Sequence, residues 1–125
     1  MRFMMMVKHS EKLCGPPPKA FMDQMIKISE EAIKNGTMVL SGGLHPPATS
    51  TRVRLSQGQV TPIDGPFTEA KEIVGGFAIL EFKSKEEAIQ SAINFMGLHK
   101  THWPGWEGET EVRQLLGPED FAPKP

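Results

Sequence analysis

Near the start of the chain, Arg2 to Lys8 is an apolar run held between two charges, and its length favours a strand over a helix. Successive strand side chains point to opposite faces, so Phe3, Met5 and Val7 line one face and Met4 and Met6 the other. A strand that is apolar on both sides has to be covered twice. That requirement constrains the fold more than any other feature of the sequence.

The rest of the chain supplies the covers and their connections. Cys14-Gly15-Pro16-Pro17-Pro18 breaks the chain, and from Lys19 the residues Phe21, Met22, Met25, Ile26, Ile28, Ala32 and Ile33 recur at helical spacing until Asn35-Gly36. Thr37 to Leu40 reads as a second strand running into Gly42-Gly43, after which Leu44-His45-Pro46-Pro47 turns away from the sheet. Thr51 to Ser56 and Gln59 to Ile63, joined by Gln57-Gly58, form a short polar hairpin inserted beside the main sheet. Asp64-Gly65-Pro66-Phe67 and a charged turn from Thr68 to Glu72 lead to the strand Gly75 to Phe82. Ser84 and Glu87 make a capping box for a second helix, with Ala88, Ile89, Ala92, Ile93 and Met96 on one face and Gly97 as its expected stop. Gly97 to Gly108 reads as a loop rich in His, Trp, Pro and Gly, and Glu109 to Leu116 as the last strand. Residues 1–116 make one domain and 117–125 a Pro-studded tail, with no internal repeat.

Strand, helix, strand, hairpin, strand, helix, strand is the α+β, ferredoxin-like βαββαβ arrangement with an inserted hairpin, its two helices on one face of an antiparallel sheet. Yet Phe3, Met5, Val7, Phe77, Ile79 and their alternating neighbours Met4, Met6, Ala78, Leu80 and Phe82 put apolar groups on both faces. Two helices cover only one. The same face of a second copy is the simplest cover for the other, giving a homodimer whose sheets enclose a shared interior, a dimeric α+β barrel. At 125 residues the chain is sized for a single core.

Lys plus Arg number 14 against 15 Asp plus Glu, a net charge of −1, so no long-range field draws in a phosphate backbone, and nucleic acid is not an expected partner. The lone Cys14 cannot close an internal disulfide, and Phe3 to Val7 is too short for a signal-peptide core or a membrane span. The expected setting is cytoplasmic and reducing, away from membranes.

At Asp64-Gly65-Pro66-Phe67-Thr68-Glu69-Ala70-Lys71-Glu72, followed by Gly75-Gly76-Phe77, the sequence closely resembles the DGPF group of the YCII-related family. The Met1-Arg2-Phe3-Met4 strand, the Gly42 to Thr49 stretch, the Ser84 to Met96 helix and Glu111-Val112-Arg113 are similar to that group's order. The resemblance implies a dimeric α+β barrel of mostly unassigned activity. Some relatives perform lyase or isomerase chemistry on small ring compounds, and DGPF proteins are often associated with extracytoplasmic-function sigma factors. Better-studied members resemble one another in placing a histidine near the start of the first helix, able to pair with an aspartate as an acid–base dyad. Here Lys19, Ala20, Phe21 and Met22 occupy that region, so an acid–base role passes to His45, His9 or His102.

The candidate catalytic residues are Asp64, His45 and His102. Asp64 precedes Gly65-Pro66, where a short carboxylate accepts backbone N–H bonds across the turn, or else faces the barrel mouth as a general base or the orienter of a histidine. His45, after Gly42-Gly43, is either a turn residue or a proton shuttle lining a pocket with Asp64. His99 and His102 have a spacing that suits a metal only on a helix, which Gly97 and Pro104 speak against, so no metal and no cofactor are expected. Trp103 and Trp106, on a loop stiffened by Pro104, would lid an apolar pocket or pack in a core or interface. Phe67 and Arg54 complete the candidate ligand-binding set, the alternative for Arg52 and Arg54 being a solvated hairpin face. Cys14 has no neighbouring base to make it a nucleophile, and the methionines at 4, 5, 6, 22, 25, 38 and 96 read as deformable core filler. Three functions remain open: a small-molecule protein with cofactor-free acid–base chemistry on an apolar or aromatic ligand, a non-catalytic module that contacts a protein such as a sigma factor, and a dimeric scaffold in which the Asp64-Gly65-Pro66-Phe67 turn is purely a folding feature.

Overall fold

The structure, a computed structural model, describes residues 1–10, 15–66 and 72–121. Cys14, Phe67, the turn at 68–71 and the end of the tail lie outside the described residues. The elements run β1 (Arg2–Ser10), α1 (Lys19–Lys34), β2 (Met38–Gly43), β3 (Thr51–Ser56), β4 (Gln59–Asp64), β5 (Glu72–Glu81), α2 (Lys85–His102), β6 (Gly108–Gln114) and α3 (Pro118–Phe121), with a 3-10 turn at Pro47–Thr49 before β3. The four-stranded sheet has the order β2-β5-β1-β6, all antiparallel, while β3 and β4 form their own hairpin. This is the expected ferredoxin-like order, with the first and third main strands central.

Phe3 and Met5 of β1 face Leu80 and Ala78 of β5 in register, and with Ala88 and Ala92 of α2 they form the core. The two alanines, four residues apart, let α2 lie close on the sheet, and Met38, Phe82 and Val112 fill its edges. Phe3 is 1% exposed, the best-buried large side chain among the described residues. Ser84 caps α2 by accepting the Glu87 N–H at 3.2 Å, as expected, but the Glu87 carboxylate reaches back to the Lys83 N–H at 3.1 Å rather than to that of Ser84.

Three expectations are corrected. Helix α2 does not stop at Gly97 but runs on to His102, because Phe95, His99 and Trp103 fall on one side of it, Phe95 packing on His99 and the other two on Phe21 and Trp106, which outweighs the roughly 1 kcal/mol that a mid-helix glycine costs. Glu72 belongs to β5 rather than to the preceding turn, pairing with Ser10 where β1 extends past Lys8. Of the methionines expected as filler, Met5 is buried and Met22 is exposed, because α1 seals itself to the domain chiefly through Phe21, leaving Ile26 and Ile33 exposed as well.

The sheet face opposite the helices carries Met4 and Met6 of β1, Phe77 and Ile79 of β5 and Leu40 of β2, matched across the strands by register. The first four are half-buried and Leu40 is 54% exposed. On the same face Lys8 donates to Glu111 at 2.6 Å, and Arg113 closes on the other oxygen of that carboxylate. These cations hold the Glu111 carboxyl below its ordinary value, Lys8 first.

Candidate functional site

Beyond Gly43 the chain leaves the sheet edge, the Leu44 N–H still donating to the Gly75 carbonyl at 3.0 Å, and the prolines at 46 and 47 then set up the 3-10 turn. Thr49 and Ser50 fasten that turn with their hydroxyls on the Pro46 and Pro47 carbonyls, at 2.9 and 2.6 Å. Between this segment and the first residues of β5 lies a cleft of about 390 Å³. His9 and His45 are its imidazoles, and Leu44, Pro46, Ile73 and Val74 give it apolar walls. His9 reaches it because β1 runs two residues past Lys8 and because β5 bulges opposite, between the partners of Val7 and Lys8. Gly75 sits in that bulge: a Cβ there would stand 2.5 Å from His9 Nε2, so the ring's position requires a glycine. With Nδ1 of His9 2.8 Å from the Ser10 carbonyl, that nitrogen donates and Nε2 is left as the basic one.

Asp64 is close in the chain to this cleft yet is not one of its lining residues. Its carboxylate accepts the Thr51 hydroxyl at 2.7 Å across the last pair of the hairpin, and the Gly65 N–H donates to the Ser50 carbonyl at 2.9 Å. A Cβ at Gly65 would meet the Pro47 carbonyl at 2.5 Å, so the Asp64-Gly65 turn lies hard against the segment that forms the cleft wall. Asp64 thus ties the two ends of the hairpin together through the Thr51 hydroxyl.

A second concavity, about 430 Å³, opens beside the last turns of α2, lined by Trp103, Trp106 and His99 among others. His99 is 4% exposed, with its ring centroid 4.6 Å from Phe21, 4.8 Å from Phe95 and 4.2 Å from Trp106, and Trp103 parallel to it at 6.3 Å. Its Nδ1 lies 2.9 Å from the Phe95 carbonyl, and burial pushes its pKa below the ordinary 6.5. At the start of α1, where the resemblance leads one to look for a histidine, Phe21 thus meets a histidine supplied by α2.

The structure therefore separates the predicted site residues. His45 joins His9 in the first cleft, and Trp103 and Trp106 line the second, Trp103 buried in the ring cluster. His102 ends α2, half-buried, and lines neither. Arg54 is exposed on the hairpin opposite Thr61. The sequence weighs His99 only as a metal ligand beside His102 and sets both on a loop after Gly97, whereas both lie in α2; the recurrence of Phe95, His99 and Trp103 every four residues is the signal that places His99 on the helix. Among the described residues, no group of three or more His, Cys, Asp or Glu side chains could hold a metal ion, and no helix is long and apolar enough to cross a membrane.

A βαββαβ sheet with a hairpin inserted after its second main strand defines the chain as a ferredoxin-like α+β protein. The model of the YCII-related domain matches residues 1–94, and the chain belongs to that family. The matched span includes His9, His45 and Asp64, while His99 and both tryptophans lie beyond it. A search of the curated proteins finds no match.

Proposed function

We propose that this YCII-related protein is a homodimer that binds a small apolar or aromatic molecule in the His9–His45 cleft and moves a proton on it without a cofactor, in an elimination or isomerisation. The observation that carries the reading is that two imidazoles share one apolar-walled cleft. An imidazole with Nε2 unprotonated can take a proton from a bound molecule, and a second on the same cavity can return it to another atom. Asp64 acts as a positioning residue, holding the wall through Thr51 and Gly65. Dimerisation through the helix-free face is supported by Met4, Met6, Phe77, Ile79 and Leu40, an apolar patch that the helices of the same chain do not reach.

The test is a ligand-observed NMR screen of small ring compounds bearing an acidic C–H, run in D2O. A supporting hit binds saturably, shifts the His9 and His45 ring signals together, and exchanges its acidic C–H faster with the wild type than with His45→Ala. Hits that bind without moving both rings, or a full screen without one, would remove the reading.

A second reading has its own observation. Val53, Leu55, Val60 and Pro62 share one face of the β3–β4 hairpin and are exposed, an apolar stripe suited to a protein partner. The DGPF resemblance points to an extracytoplasmic-function sigma factor as that partner, in which case the module is regulatory and the cleft idle.

A further inference from the structure

The ring cluster at the end of α2 poses a question that packing alone does not answer. A phenylalanine would fill the space among Phe21, Phe95, Trp103 and Trp106 without a polar atom to satisfy. His99 brings two nitrogens into that box, and only Nδ1 has a partner among the described residues, the Phe95 carbonyl. Because Nδ1 carries the proton that it donates, Nε2 is an unprotonated acceptor. Nε2 is not sealed away as a buried atom lacking a partner; among the described residues only the Thr110 hydroxyl is in that state. The residue is 4% exposed and lines the cavity. Burial lowers the pKa of this histidine, which keeps the ring neutral at pH 7 and Nε2 available.

The walls fit one class of molecule. Trp103 and Trp106 present ring surface, Met96 adds a polarisable thioether, and the exposed Lys100 and Glu107 also line it. A cavity of about 430 Å³ is within the range that holds a small organic ligand. Aromatic and apolar walls with a neutral imidazole acceptor among them favour a flat ring that brings its own donor.

We propose that this cavity is a second binding site, taking a neutral aromatic molecule with an N–H or O–H donor, of the indole or phenol class, whose donor is received by His99 Nε2 while its ring packs on Trp106. The site is independent of the His9–His45 cleft and stands whether or not that cleft performs chemistry.

The experiment compares indole with N-methylindole on the full-length chain, reading the side-chain nitrogen signals of His99 by NMR. Indole is expected to bind saturably and to move the Nε2 signal while leaving Nδ1 nearly unchanged. N-methylindole, which has no donor, is expected to bind about tenfold more weakly. His99→Phe keeps the box apolar and should bind the two compounds equally. Equal binding of both by the wild type, a still Nε2 signal, or no saturable binding of indole up to millimolar concentration would overturn the proposal. If His99→Phe does not fold, the two probes on the wild-type protein decide it alone.

Discussion

The two faces of β1 are nearly the same in chemistry and differ in what lies over them. Phe3 and Met5 are sealed beneath Ala88 and Ala92 of α2, whereas Met4 and Met6, one residue along, stop at half-burial with Phe77 and Ile79 beside them. Hydrophobic residues are thus laid down for two covers, and one chain supplies one. The same alternation that places a residue in the core places its neighbour on a surface that has yet to be filled.

The largest test of this contrast is Phe3→Ala. Removing a fully buried aromatic ring leaves a cavity that α2, held by its own cap, collapses into only in part, and the expected loss is about 3–5 kcal/mol of unfolding free energy by urea titration. A loss under about 1 kcal/mol would mean that the helix-covered face is as open as the other.

Ile79→Lys probes the opposite face. Ile79 lies between Met4 and Leu40 across the strands, in the middle of the patch assigned to a second copy. A charge buried there without a partner is expected to weaken the proposed dimer at least about thirtyfold in sedimentation equilibrium, with the circular dichroism of the fold retained. Sedimentation of the wild type as a monomer at micromolar concentration would break the contrast altogether, since the second apolar face would then be stable in water.

The third test turns on His99. Its pKa is lower in the folded protein than its ordinary 6.5, so the unfolded chain binds this proton more readily than the native one. The histidine's contribution is therefore intact above pH 6.5 and is lost as the pH falls from there toward the folded pKa. The slope cannot exceed about 1.4 kcal/mol per pH unit, and His99→Phe should flatten it in that window, read as unfolding free energy against pH. An unchanged slope would place the acid sensitivity on other groups.

How far the sequence was legible follows from which periodicities compete. The alternation in β1 and the period of α1 have no rival, so the order of elements and both faces of the sheet could be read directly. The end of α2 could not, because Gly97 and Pro104 are local signals for a stop, whereas the signal to continue is tertiary and depends on Phe21, distant in the chain, meeting His99. For the site, the Gly42-Gly43-Leu44-His45 stretch marked one half of the cleft. The other half, His9, depends on a bulge at Gly75 that no spacing announces.

The hairpin offers the smallest expected effect, and that smallness is the point. Leu55 pairs with Val60 at the far end of the β3–β4 ribbon and is 72% exposed, so its side chain has lost little contact with water on folding of the single chain. Leu55→Ser should change unfolding free energy by no more than about 0.5 kcal/mol. A two-stranded ribbon gains little from its own pairing, so an apolar stripe on it has stabilising value chiefly when something else packs against it. If Leu55→Ser instead destabilises the protein by 2 kcal/mol or so, and more at high protein concentration than at low, then the stripe is covered by the second copy, and the dimer closes over the arm as well as the sheet.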